Sequence, residues 1–182
     1  MNALSKMTAF LITIIMLFLL PLLHHYERQE DLVRLNTHNA VTKFVDAVRN
    51  KGYLTPAMYN EFTEELALSR FEFKIELIHE QKIYVPVYTD PADSSTFQNQ
   101  YMVTYENFYT PQIKKILFPD NSLPLDSEDR RYQLMTGDYF KVAVKNSNRS
   151  PATVIWDFLT FGDSTGPEIS IPYGGMVHNE DY

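Results

Sequence analysis

No cysteine occurs in the 182 residues, which excludes a disulfide framework and any thiolate-held metal. Glycine is scarce, at six positions, and none of them builds a phosphate-cradling loop. The H-E-x-x-H and G-x-S-x-G patterns are absent as well. Positive charge is the minority sign: 16 Lys and Arg stand against 23 Asp and Glu, for a formal net charge of −7. Nucleic-acid binding needs a basic face, and the chain has none. Attraction to anionic lipid is excluded on the same ground. The sequence does not repeat at a fixed period, and no low-complexity linker divides it. An exported domain without disulfides must be held by packing, which the 12 Tyr, 12 Phe and one Trp can supply. That composition suits a cell surface where oxidative folding is not relied upon, such as that of a Gram-positive bacterium.

What the chain does have is one long apolar run. Met7 to Leu23 is free of charge over 17 residues, the short end of the roughly 17–25 that span a bilayer. Ala3 and Leu4 extend it inward, and Tyr26 suits the outer headgroup level. The run is apolar on every side, unlike a helix packed in a soluble core. A cleaved signal peptide shares this design, but the exit Pro21-Leu22-Leu23-His24-His25-Tyr26 offers no small-x-small cleavage site. The reading is a signal anchor over residues 1–23 and one extracytoplasmic domain over residues 24–182. Lys6 precedes the run and no basic excess follows it, so the N-terminus is expected in the cytoplasm. Beyond residue 24 the chain carries 15 basic and 23 acidic side chains.

The helical pattern continues past the run. Val33, Thr37, Val41, Phe44 and Val48 recur on one stripe, with Glu30 and Arg34 as an exterior pair, and Gly52 is the expected stop. One helix over about residues 5–50 follows, with Pro21 and the histidine pair as the place where it would bend or break. Thr55-Pro56 reads as an N-cap and first helical residue, opening a short amphipathic helix over 56–68. Phe71, Phe73, Ile75 and Leu77 then alternate with Glu72, Lys74 and Glu76 as a strand. Ile83–Tyr88 is a second extended run, so a hairpin is expected around Glu80-Gln81-Lys82, with Pro86 at an edge or bulge. Residues 89–100 read as an exposed loop. Residues 101–118 are ambiguous apart from a helical turn after Pro111, and 119–131 read as loop. Phe140, Val142 and Val144 mark another strand. Ser150-Pro151 repeats the capping signal ahead of Val154, Ile155, Phe158, Leu159 and Phe161, an expected helical stripe closed by Gly162; a strand over 153–161 is the alternative. A short strand over Glu168–Tyr173 and a Gly174-Gly175 turn complete the chain. The fold class is α+β, with a long N-terminal helix on a small antiparallel sheet of about four strands.

Chemistry is sparse. His24 and His25 are adjacent on a helix, about 100° apart, and make a poor chelate. His38 falls on the polar side of the long helix, and His79 is read at the end of a strand. His178 lies in a polar tail with Asn179, Glu180 and Asp181, a weak cation site at most and more simply a solvated tail. Glu72 and Glu76 stand about 13–14 Å apart by strand rise, too far for a glycosidase pair. Asn148-Arg149-Ser150 matches a glycosylation sequon, with Pro151 directly after it. No catalytic, cofactor-binding or metal residue is assigned, and an enzyme is not expected. Tyr101, Tyr105, Phe108 and Tyr109 are the candidates for an aromatic binding surface, against ordinary packing.

Val45-Asp46-Ala47-Val48-Arg49, Gly52-Tyr53-Leu54-Thr55, Tyr59, Phe62, Leu66 and a strand beginning near Phe71 resemble the region just outside the membrane in TadE-like minor pilins of tight-adherence (type IVc) pilus systems. The resemblance covers about the first half of the chain. It implies a pilin-like structural or assembly subunit of a bacterial surface pilus or secretion apparatus, with the lipid bilayer and other subunits as partners. Such pilins carry a glutamate five residues into the processed chain. Here the nearest processing point is Ala9-Phe10, and the corresponding residue is Ile14. The alternative is a signal-anchored extracytoplasmic binding or sensing module for a cell-surface ligand.

Overall fold

The computed structural model describes residues 3–69, 71–120, 123–162 and 169–179. Helix α1, Ala3–Lys51, is a single element of 49 residues, about 73 Å long at 1.5 Å per residue. Pro21 lies inside it and does not end it. The missing N–H costs one backbone bond, and the helix passes through the histidine pair unbroken. Gly52, at φ 74°, stops the helix and donates to the Val48 carbonyl at 2.8 Å.

The two halves of α1 meet different surroundings. From Ala3 to Phe18 every large apolar side chain is exposed, whereas Thr37, Ala40, Val41, Phe44, Val45 and Val48 are buried. This stripe packs on a four-stranded antiparallel sheet of order β3-β2-β5-β6, built from β2 (Phe73–Tyr88), β3 (Phe97–Tyr109), β5 (Tyr139–Asn146) and β6 (Ser170–Met176). A small pairing of β1 (Tyr53–Leu54) with β4 (Tyr132–Gln133) flanks it. Helix α2, Pro56–Ala67, starts at Thr55, whose hydroxyl accepts from the Met58 N–H. It places Phe62 flat on Phe44, ring centroids 4.3 Å apart, while Phe140 of β5 meets Phe44 edge-on at 6.1 Å. Helix α3, Thr110–Leu117, buries Ile113 and Leu117, and α4, Pro151–Thr160, packs against α1.

Several expectations are corrected. No turn occurs at Glu80-Gln81-Lys82: β2 is one strand of 16 residues. That tripeptide contains no glycine, proline, asparagine or aspartate to reverse the chain, and both sides of it pair continuously with β3. The reversal lies instead between Tyr88 and Phe97, so residues 97–100 of the expected loop are strand. The ambiguous segment 101–109 continues that strand into α3. Pro86 does sit beside a register shift. Glu30 is buried on the domain-facing stripe rather than exterior. Gly174 and Gly175 lie inside β6 opposite Lys141 and Phe140. A Cβ on Gly175 would come within 2.6 Å of the Arg49 guanidinium, and one on Gly174 within 2.8 Å of the Phe140 carbonyl oxygen. Arg49 holds this strand end by donating to the Met176 carbonyl at 2.9 Å while paired with Asp46 at 2.8 Å. Helix α4 forms as expected, and its apolar stripe is split, with Ile155 and Leu159 half-buried and Val154, Phe158 and Phe161 exposed. Glu168 of the expected last strand lies outside the described residues.

The Phe44–Phe62–Phe140 contact joins α1, α2 and the sheet. Phe44→Ala is expected to lower the unfolding free energy by about 3–5 kcal/mol, seen as a lower thermal midpoint by circular dichroism of the detergent-solubilised chain. An unchanged midpoint would show that α1 is not part of the core.

Candidate functional site

Two surfaces of the molecule stand out for their exposed apolar or aromatic side chains. The first is the N-terminal half of α1. Its most apolar stretch has a mean hydropathy of 2.3, and 6% of that stretch is buried. Length and composition suit a membrane-crossing helix.

The second is the β2–β3 hairpin. Strand β5 pairs with β2 only from Phe73 to Glu80, and Glu80 is level with Tyr139 and Met176 near the distal end of α1. Beyond Glu80 the hairpin continues as a two-stranded arm through Tyr88, about 25 Å of strand. Its tip is tied by the Thr96 hydroxyl, which donates to the carbonyls of Asp90 and Asp93. The Asp93 carboxylate accepts from Ser95, which holds its carboxyl below the usual range.

Residues directly opposite share a face of the ribbon. The register therefore puts Tyr84 and Val103, Lys82 and Tyr105, Pro86 and Tyr101, and Ile78 and Tyr109 on one side. Tyr139 of β5 joins them, its ring 5.7 Å from that of Tyr105. The Lys82 ammonium stands 4.9 Å from the Tyr84 ring centroid, and its hydrogen bond with Tyr84 raises its pKa above the ordinary lysine value. Of the expected aromatic set, Tyr101, Tyr105 and Tyr109 share this face, while Phe108 points to the other side against His79. Tyr84 and Tyr139 are outside that set, because only the register brings β2 and β5 beside β3. Strand β3 is a sheet edge of 13 residues with one charged side chain, Glu106. A long edge without lysine or proline is open to pairing with another chain.

His79 is not at a strand end. It is 3% exposed, between Tyr132 at 6% and Asp138 at 1%. The Tyr132 hydroxyl lies 2.7 Å from Nδ1, and Asp138 Oδ2 lies 2.9 Å from Nε2. Asp138 also accepts from the backbone N–H groups of Lys82 and Met135. A neutral imidazole with its proton on Nε2 satisfies the whole set. The connectivity is that of a proton relay, but its groups are shut away from solvent. Its work is to lock β2 to β4 and to the start of β5, at the root of the arm. Sequence spacing gives no sign of it, since the three residues are brought together only by the sheet.

The remaining sequence candidates are dispersed. His178 approaches Arg49 at 2.7 Å, while Glu180 and Asp181 lie outside the described residues. Among the described residues no group of three His, Asp or Glu is placed to hold a metal. Lys74 pairs with Glu76 at 3.1 Å on the wet face of β2. A cavity of about 660 Å³ lies between α1 and the segment leading into α4, with Glu30, Val33, Leu66, Phe71 and Arg149 in its walls.

Comparison with family models, curated proteins and solved structures found no match.

Burial first, and the Asp138 carboxylate second, push the Tyr132 hydroxyl well above the ordinary tyrosine range. A raised folded-state pKa gives stability that is full below the unfolded value of about 10 and is lost as pH rises toward the folded one. Tyr132→Phe is expected to cost about 1–3 kcal/mol at neutral pH, through the partner lost by His79. It should also flatten the decline of stability above pH about 10. Thermal denaturation of both forms against pH reads this, and parallel alkaline slopes would contradict it.

Proposed function

We propose that the protein is a membrane-anchored, outward-facing structural or assembly subunit of pilin-like layout, belonging to a bacterial surface pilus or secretion apparatus. In this reading the N-terminus is cytoplasmic, Met7–Leu23 crosses the bilayer once, and residues 24–182 are extracytoplasmic. The observation that carries it is the continuity of α1. One helix has an apolar half that the described residues leave exposed from Ala3 to Phe18 and an amphipathic half that is the spine of a sheet domain. An anchor that served only as a tether would not need to be rigidly continuous with the core. A subunit that transmits its helix packing to its domain does. The resemblance of residues 45–71 to TadE-like minor pilins supports the same reading. Ile14 in place of the glutamate removes the charge such subunits use for docking, which favours an assembly or accessory component that stays in the membrane.

The distal arm gives this subunit a second contact, through the open edge of β3 and the tyrosine face beside it. The same tyrosine face favours the alternative, a signal-anchored module that binds or senses a cell-surface ligand. Photo-reactive residues placed separately at Leu17 and Tyr101 in the native host distinguish the two. An assembly subunit gives discrete adducts heavier than 21.2 kDa at both positions, with partner chains that carry apolar helices of their own. Adducts at Tyr101 alone would favour the binding module, and adducts at neither position would contradict the proposal.

The anchor itself is tested by Ile14→Lys. A lysine near the centre of a spanning helix carries an apparent insertion cost of about 2.5–3.5 kcal/mol. The variant is expected to lose carbonate-resistant membrane recovery, and recovery equal to wild type would count against a spanning helix.

A further inference from the structure

Helix α4 is apolar on the outside. Val154 is 53% exposed, Trp156 51%, Phe158 70% and Phe161 98%. Its one charged side chain, Asp157, is turned inward and bound by Arg149. The polar side chains are also spent within the segment. The Ser150 hydroxyl accepts from the Thr153 N–H at 3.1 Å and lies 2.9 Å from the Thr153 hydroxyl, and Thr160 donates to the Trp156 carbonyl at 2.9 Å. At the C-terminal end Phe161 and Gly162 both donate backbone N–H groups to the Asp157 carbonyl. These caps would serve a helix in water as well, but together they leave the exposed face without an unspent polar side chain, which suits lipid, where unsatisfied polar groups are costly.

The position of α4 along α1 points the same way. Leu19 and Tyr26 are half-covered and Leu23 is 5% exposed, while the residues between them are exposed. Leu19, Leu23, Tyr26, Glu30 and Val33 follow the helical period, so the domain covers α1 into the apolar run itself. The other elements on α1 are held farther along. Strand β6 meets it at His38, Asp46 and Arg49 through Tyr173 and Met176, and α2 meets it at Lys43 and Phe44. Helix α4 packs on α1, and its lead-in, Asn148–Pro151, shares with Leu66 and Phe71 a cavity walled by Tyr26, Glu30 and Val33 of the upper stretch.

We infer that α4 is a second membrane contact, which lies beside α1 and seats Trp156, Phe158 and Phe161 in the outer headgroup and acyl boundary of the bilayer. This rests on the anchor reading, because the level of α4 is set by the apolar run of α1. The contact is apolar rather than electrostatic, since α4 has no lysine or arginine, and it fits a zwitterionic lipid surface. Tryptophan is favoured at this depth. The contact would fix the tilt of the domain on the membrane and so the direction of its distal arm.

Trp156 is the only tryptophan in the chain, so its fluorescence reports α4 alone. The full chain is reconstituted in phosphatidylcholine vesicles whose acyl chains carry bromine either near the headgroup or at the terminus. The expected result is co-flotation with the vesicles and loss of most emission to shallow bromine. Deep bromine should remove less, and aqueous iodide little. The double variant Phe158→Ser, Phe161→Ser should still float and keep its far-ultraviolet circular dichroism, with red-shifted emission and bromine quenching largely lost. A chain that floats while iodide quenches Trp156 and bromine does not overturns this inference and leaves the anchor standing. Emission shielded from both quenchers means that protein covers α4, a second copy included, and also overturns it. A chain that does not float overturns the anchor and this contact together.

Discussion

One helix in this protein carries two different surfaces along a single backbone. The stripe Thr37–Val48 of α1 is the spine on which the sheet, α2 and the β1–β4 pair close, with Val41, Val45 and Val48 fully buried. The same backbone, without a break, carries apolar side chains on every side from Met7 to Phe18. A helix with apolar residues on one stripe belongs on a domain surface, and one apolar all round belongs in lipid or in a bundle. Joining the two without a linker leaves the domain little freedom relative to the apolar half of the helix. The tyrosine-lined arm stands at the far end of this rigid body and α4 at the near end, so their separation is set by the length of α1 between them.

The buried network at the root of the arm follows from that arrangement. An arm of two strands is weak in isolation, because each strand finds a partner on one side only. His79, Tyr132 and Asp138 fasten its base in the core and leave the aromatic outer face free. Glycine at 174 and 175 lets β6 pass close to β5 and to Arg49, which ties the last strand to the end of α1. The outer faces of arm and α4 differ in chemistry. The arm mixes tyrosines with Lys82 and Asn107, while the exposed surface of α4 has no charge at all. The two surfaces therefore suit different neighbours.

Local signals in the sequence are reliable where local physics decides. Thr55-Pro56 and Ser150-Pro151 open helices as capping chemistry requires, Gly52 closes α1, and the period of Val33 to Val48 marks the buried stripe. The α+β class follows from these. The reading fails where tertiary context decides. Glu80-Gln81-Lys82 looks like a break because its polarity interrupts the apolar run. In the fold it marks the point where β2 leaves the cover of β5 and goes on as an exposed ribbon. Glu30 looks exterior because a charged residue usually is, and only the fold puts it in the wall of a cavity that Arg149 also lines. The apolar spacing of α4 marks a helix without saying which way it faces. Asp157 turned inward against Arg149 leaves Val154, Phe158 and Phe161 outward, and that pairing is readable only in the fold. The tyrosine face needs the strand register, which no spacing within β3 alone can supply.

The central claim is that the apolar run and the domain remain one continuous helix in the mature protein. The most direct test is the intact mass and N-terminal sequence of the protein extracted from membranes of its native host. The account predicts a chain in which Phe10–Lys51 is retained uncut, so that anchor and core spine stay joined. A mature chain beginning near His24 would contradict it, because the domain would then be released without its anchor.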